Sequence, residues 1–327
     1  MKFQFKAYLS KRLVILTVCL VLAAIAAQLS RLHWIFDLAT HLTWHYILAG
    51  AALSGFLFWL RRPRWAFLAI ATALLHVPLI YSYAWIAPSG ALTATAQEEL
   101  QILQFNIGSK NEQARKFYEW LREQPSLPDI VVIIEASEKL KPVVAGMMTE
   151  GWPHALADYQ EDNYGIAVLS QIKDSDLSLE PIGDPFLPSI IVRGKTDKQN
   201  IPFTLLATHP PPPITGTLSK ARNQQYIAYA DWLNNESVSN RILVGDLNTT
   251  PWSFHYQKLL EESNMLDAQA GQGYIGTFPA WLPSLMGIPV DHALISKNIE
   301  VVHRKAGPGF TLGSDHRVVM TTVKLAR

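Results

Sequence analysis

The chain is poor in cysteine, poor in acidic residues over its first quarter, and without long apolar runs beyond that quarter. Cys19 is the single cysteine among 327 residues, which excludes an intrachain disulfide and a cysteine metal cluster. Of 28 basic and 27 acidic residues, eight basic and one acidic, Asp37, precede Gln97, leaving 20 basic against 26 acidic after it. The net charge of +1 therefore conceals a basic, apolar front and an acidic, water-compatible body. Such a body has no strong general attraction for nucleic acid. There is no internal repeat, no Gly-rich phosphate loop and no nucleophile elbow. The length leaves room for about two domains.

What the front does contain is three apolar runs, Leu13 to Leu29, Leu42 to Leu60 and Trp65 to Ala87. Each approaches the ~20 residues that cross a bilayer. A signal peptide would account for the first run and not for the other two. The runs predict a three-helix transmembrane unit over residues 1–88, with helices at about 13–29, 42–60 and 65–87. Lys2, Lys6, Lys11 and Arg12 precede the first run, Arg31 alone follows it, and Arg61, Arg62 and Arg64 follow the second. After the third run no basic residue occurs until Lys110. That alternation places the N-terminus in the cytoplasm and the C-terminal body outside it, in a multi-pass protein of the cell (inner) membrane. Asp37, His41 and His45 share one helix face. They read as polar residues at the membrane interface rather than as a metal or proton site. Residues 89–99, small and polar, read as a linker that keeps the body close to the bilayer.

The body, residues 100–327, alternates apolar strands with helices and loops, without strict βαβ order. Leu100 to Phe105, Tyr164 to Ser170, Ser189 to Val192, Phe203 to Ala207, Arg241 to Val244, Ala293 to Ser296 and Val318 to Val323 read as strands. Ile130 to Ile134 is an unbroken β-branched run, the signature of a strand buried on both faces. Asn111 to Gln124, Ser219 to Asn235 and Ser253 to Ser263 have helical character, the second with Ile227, Ala230 and Leu233 on its inner face. In Gly245-Asp246-Leu247-Asn248 a carboxylate and an amide stand two apart after a strand, a pairing that can hold and deprotonate a water. The placement recurs: Asn106, Glu135, Tyr164, His209, Asp246, Asn248, Asp291, Asp315 and His316 all lie at strand ends. Any one of them fits an ordinary turn; nine in that position point to one site. The loop Gly271 to Pro289, with Tyr274, Phe278, Trp281, Leu282, Leu285 and Met286, reads either as folded on its own core or as a rim that meets lipid.

Gln104-Phe105-Asn106, Ile134-Glu135, Thr208-His209, Gly245-Asp246-Leu247-Asn248, Val290-Asp291-His292 and Gly313-Ser314-Asp315-His316 occur in an order that resembles the endonuclease/exonuclease/phosphatase superfamily, the deoxyribonuclease I-like proteins. The resemblance covers the body and not the front. It implies an α/β fold, a four-layer α-β-β-α sandwich of two mixed sheets with the site at one end. It also implies a Mg²⁺-dependent phosphoric ester hydrolase, with Mn²⁺ as a substitute. Glu135 would be the main metal ligand, with Asn106 and Asp315 nearby. Asp246 would orient and deprotonate water, helped by Asn248. His316, polarised by Asp291, would bind phosphoryl oxygens, with His209 and Tyr164 on the other side. The substrate could be a phospholipid head group, a small phosphoester or DNA. The alternatives to a membrane-anchored phosphoesterase are a nuclease acting on extracytoplasmic DNA and an inactive membrane scaffold. No obligate protein partner is evident.

Overall fold

A computed structural model describes residues 2–87 and 97–327. The front is helical: α1 (Lys2–Gln28), α2 (Trp34–Thr40), α3 (Thr43–Trp59) and α4 (Pro63–Trp85). Two stretches, Gln4–Gln28 and Pro63–Trp85, are long and apolar enough to cross a membrane. The middle run of the sequence divides differently. α3, with 17 residues, falls short by itself and reaches spanning length only together with α2, from which it bends by 65°. α3 packs closely on α4: a Cβ added at Gly50 would stand 2.6 Å from the Ala69 carbonyl oxygen. The expected linker lies outside the described residues up to position 96, and the first strand already begins at Gln97.

Twelve strands and four helices build the body among the described residues. In chain order the strands are β1 (Gln97–Asn106), β2 (Ile130–Ile134), β3 (His154–Asp158), β4 (Ile166–Ser170), β5 (Asp174–Pro181), β6 (Pro188–Lys195), β7 (Pro202–Thr208), β8 (Arg241–Asp246), β9 (Met265–Asp267), β10 (Asp291–Ser296), β11 (Glu300–Ala306) and β12 (Val319–Ala326). They form two six-stranded sheets, β11-β12-β1-β2-β4-β3 and β5-β6-β7-β8-β10-β9. The helices are α5 (Ala114–Arg122), α6 (Lys141–Glu150), α7 (Gly216–Asn235) and α8 (Phe254–Ser263).

The alternation of β2 explains the layers. Ile130, Val132 and Ile134 join the core between the sheets, beside Val192, Leu205, Ile242 and Val244 of the second sheet. Val131 and Ile133 point the other way, into a core shared with Phe117 and Leu121 of α5 and Val144 and Met147 of α6. On the far side, Leu206 and Leu243 pack beneath α7 and α8. Successive strand side chains alternate faces, so a run that is apolar at every position needs a layer on each side. The inner face of α7 is Tyr226, Tyr229, Ala230 and Leu233, at i, i+3, i+4 and i+7. Ile227, expected on that face, is instead exposed, because it sits a ~100° step away from Tyr226.

Candidate functional site

Strand register brings the strand-end residues to one edge of the sandwich. β1 and β2 run parallel with Asn106 opposite Ile134, so Asn106 and Glu135 leave the sheet together. β4 is antiparallel to β2 and starts opposite its end, which brings Tyr164 to the same edge. β12 is antiparallel to β1 and starts opposite Gln104, placing Asp315 and His316 there. In the second sheet β7 and β8 are parallel and β10 is antiparallel to β8, with Asp246 opposite Asp291. His209, Asp246 and Asp291 thus emerge at one end. Gly245 is required by close approach within the sheet. A Cβ there would meet the Thr208 carbonyl oxygen at 1.9 Å.

The two halves meet through Asn106. Its Nδ2 donates to Glu135 Oε1 at 3.0 Å and to Asp246 Oδ2 at 3.1 Å. Asp246 Oδ2 also lies 3.6 Å from His316 Nε2 and 3.7 Å from His209 Nε2. The backbone N–H of Asn248 donates to Asp246 Oδ1 at 2.9 Å. Glu135 and Asn248 both adopt positive φ, 60° and 52°. Left-handed backbone at non-glycine residues costs energy and persists only where the surroundings impose it.

His316 is held from behind: its Nδ1 meets Asp291 Oδ2 at 3.0 Å, while Gln104 Nε2 donates to Asp291 Oδ1 at 3.1 Å. Burial by itself would lower the pKa of His316. The adjacent Asp291 and Asp246 carboxylates outweigh it and push the imidazole up to about 10. Asp291 is raised by burial, but the neighbouring imidazolium holds it below the usual carboxylate range. Asp246 lies above that range, because burial and the nearby Asp291 outweigh the pull of the two imidazoles.

His209 is positioned differently. Its Nδ1 lies 3.1 Å from the Asn163 carbonyl oxygen and its Nε2 3.1 Å from Asn248 Nδ2. Asn248 Nδ2 also donates to the Pro210 carbonyl oxygen at 3.0 Å. The Asn248 side chain therefore faces His209, and only its backbone reaches Asp246. The Tyr164 ring packs 5.9 Å from His209. Asp315 is exposed and lines a cleft of about 840 Å³ together with Glu135, Lys110, Lys116, Trp281 and Phe310.

Which atoms could hold a cation follows from these bonds. Asp246, Asp291 and His316 present ligand atoms within 4.8 Å of one another. Asp291 is already committed to His316 and Gln104, and an imidazole kept protonated has no lone pair for a metal. Those three residues therefore form an internal ion-paired group first. On the cleft side, Glu135 and Asp246 share a single amide NH₂, with Asp315 on the same cleft. Carboxylate oxygens of this kind suit a hard divalent cation. Asn106 turns its nitrogen toward the carboxylates, and its Oδ1 accepts from Gly108 N–H at 3.1 Å.

Several participants escaped the sequence. Asn163, Gln104 and Ser314 buttress His209, Asp291 and the Asn106 loop, the last by a hydroxyl donating 2.6 Å to the Asn106 carbonyl oxygen. Gln104 and Ser314 stand inside the motifs quoted above and Asn163 precedes Tyr164, but no charge or imidazole marks any of the three. The largest surprise concerns the front. Asp37, expected at the membrane interface, is 1% exposed and pairs with Arg222 of α7. His45 Nε2 lies 2.9 Å from the Met286 carbonyl oxygen.

Known proteins share the fold, solved structures among them. The Endonuclease/Exonuclease/phosphatase family matches over residues 103–316. An endonuclease/exonuclease/phosphatase from Beutenbergia cavernae DSM 12333 is 17% identical, with a TM-score of 0.54, over 70% of this chain and 72% of that one. An AP endonuclease from Archaeoglobus fulgidus is 18% identical, with a TM-score of 0.54, over 68% of this chain and 98% of that one. Truncated Caenorhabditis elegans TDP2 is 15% identical, with a TM-score of 0.52, over 69% and 97%. No curated protein matches the chain by sequence.

Proposed function

The chain belongs to the Endonuclease/Exonuclease/phosphatase family, and from that premise we propose that it is a membrane-anchored, divalent-metal-dependent phosphoester hydrolase. The observation that carries this reading is the Asn106 bridge between Glu135 and Asp246, with His316 and His209 close to the same Asp246 oxygen. Two carboxylates, two imidazoles and no nucleophilic serine or cysteine among them suit attack by water.

Asp246 takes the proton from that water. The water oxygen forms its bond to phosphorus, the ester P–O bond breaks, and the leaving oxygen departs with the bonding pair as an alkoxide that takes its proton from solvent water. Asn248 N–H and Asn106 Nδ2 fix the Asp246 carboxylate while it accepts the proton. His316, kept cationic by Asp291, donates to an equatorial phosphoryl oxygen in the transition state. His209, oriented by Asn163 and Asn248, faces the phosphate from the opposite side, beside Tyr164. Glu135 and Asp315 would hold Mg²⁺ or Mn²⁺, which when bound neutralises the phosphate and the charge building on the leaving oxygen; Asn106, expected beside the metal, steadies Glu135 through Nδ2 instead.

The chain divides into an N-terminal membrane unit, residues 1–88, and a catalytic domain, residues 100–327, that lies outside the cytoplasm. The rich-poor-rich-poor order of flanking basic residues supports that orientation. Purified full-length protein in detergent should cleave bis(p-nitrophenyl) phosphate with Mg²⁺ or Mn²⁺ and stop in EDTA. Turnover that survives both EDTA and Asp246→Ala refutes the reading. A reporter active only outside the cytoplasm, fused after Arg327, should report activity; a signal from a cytoplasmic reporter there reverses the orientation.

A further inference from the structure

The cleft opens on the end of the sandwich that rests on the membrane helices. The loop after β9 is tied to α4 by Gly271 N–H to the Tyr83 carbonyl oxygen and Gly273 N–H to that of Ala84, both 2.8 Å. It is tied to α3 by Trp44 Nε1 to the Leu285 carbonyl oxygen at 2.6 Å. The Trp44 ring stacks on Tyr274 at 5.2 Å. The same loop continues to Asp291, and its Phe278 ring lies 4.9 Å from His316.

The exposed apolar residues of the body are placed with equal bias. Phe186, Ile214, Trp281, Leu285 and Phe310 are the large apolar side chains of the body more than half exposed. Phe186 precedes β6, whose Ser189 meets Thr208 beside His209. Ile214 follows His209 by five residues. Trp281 and Leu285 are on the loop that leads to Asp291, and Phe310 on the loop that leads to Asp315 and His316. All five therefore stand on loops at the site end, and the loops at the other end of both sheets carry none. Isolated apolar residues on a surface need no explanation; five on the loops of one end, two of which, Trp281 and Phe310, line the cleft itself, do.

We infer that the substrate is an amphiphilic phosphoester taken from the bilayer surface, its phosphate in the cleft beside Lys110 and Lys116 and its apolar chain running across Trp281 and Phe310 toward the membrane. The inference rests on the hydrolase reading above. The rim contacts the acyl region of the outer face of the bilayer. The two lysines complement the anionic head. A soluble phosphoester would leave the rim exposed to water at every turnover.

Two measurements on the full chain in phosphatidylcholine–phosphatidylglycerol vesicles test it. In a Cys19→Ala background, a nitrobenzoxadiazole label is placed at Phe310→Cys or, at the opposite end, at Gln199→Cys. Doxyl-labelled lipid should quench the first label and spare the second. Hydrolysis of hexadecyl p-nitrophenyl phosphate in the vesicles is then compared with that of bis(p-nitrophenyl) phosphate in solution. The ratio of the two rates should fall about tenfold in Ile214→Ser and in Leu285→Ser, the factor that burial of one large apolar side chain supplies. Equal or absent quenching at the two positions overturns the bilayer contact. An unchanged ratio overturns the substrate class while leaving the hydrolase reading intact. Quenching without hydrolysis of either ester removes the hydrolase reading, and the substrate class with it.

Discussion

Asp37 Oδ2 accepts from Arg222 Nη2 at 2.7 Å, with both side chains shielded from water. One belongs to the short helix at the edge of the membrane unit and the other to the helix covering the second sheet. Asp37 Oδ1 also accepts from Ser253 Oγ at 2.7 Å, and Arg222 Nη1 reaches the Asn248 carbonyl oxygen at 3.4 Å. One buried pair thus joins the N-terminal helices, the sandwich and the loop that carries Asn248.

Removing one partner strands the other charge in a site without water. Asp37→Ala should cost roughly 3–5 kcal/mol, whereas the double replacement Asp37→Leu with Arg222→Met should recover much of that loss. Denaturant unfolding of the full chain in detergent micelles measures both. Equal costs for the single and double variants would show that the pair is not what holds the junction.

Asp246→Asn keeps the shape of the side chain and removes the base. Hydrolysis should fall by about 10²–10⁴-fold, with unfolding little changed because burial and the nearby Asp291 already disfavour the charge that the replacement removes. Initial rates and thermal melts on the same sample separate chemistry from fold.

His316 carries a pH signature. Its folded pKa, about 10, lies above its ordinary 6.5. The imidazolium therefore adds stability that is complete below pH 6.5 and fades as pH rises through 10. Asp291 has the opposite sign: its pKa is lowered, so its contribution is present above its ordinary value and lost in acid. The cost of His316→Ala should be largest below pH 6.5 and shrink steadily toward pH 10. Unfolding free energies of both proteins across that range give the answer; a constant difference contradicts it.

Glu135→Gln keeps the bulk and discards the charge. The Mg²⁺ concentration for half-maximal activity should rise at least the about 10–100-fold that loss of a metal's outer hydrogen-bond partner costs. Titration of activity with Mg²⁺ after chelation reads this directly. A shift in maximal rate alone would place Glu135 elsewhere in the reaction.

Gly245→Ala is a test of the fold. Its Cβ would sit 1.9 Å from a backbone oxygen of the neighbouring strand, where no rotamer change can help. The strands must separate, at a cost of about 1–3 kcal/mol or more. Urea unfolding should show it, with loss of activity because Asp246 is the next residue.

The strands buried in the middle of each sheet were legible in the sequence, because a run such as Ile130 to Ile134 is apolar at every position. The edge strands β3, β5, β9 and β11 were not. Sequences such as Asp174-Ser175-Asp176-Leu177 meet solvent along one side and carry the polar residues that discourage further pairing. The candidate site residues were visible as polar groups at strand ends, and the N-terminal helices as apolar runs, since both depend on local composition. Their mutual distances were not visible: Asn106 reaches Asp246 140 residues away only because parallel and antiparallel pairings send those strand ends to one edge. The docking of the front was equally hidden. Asp37 looks like an interfacial charge until tertiary packing brings Arg222, 185 residues on, against it, and no periodicity within either helix encodes that meeting.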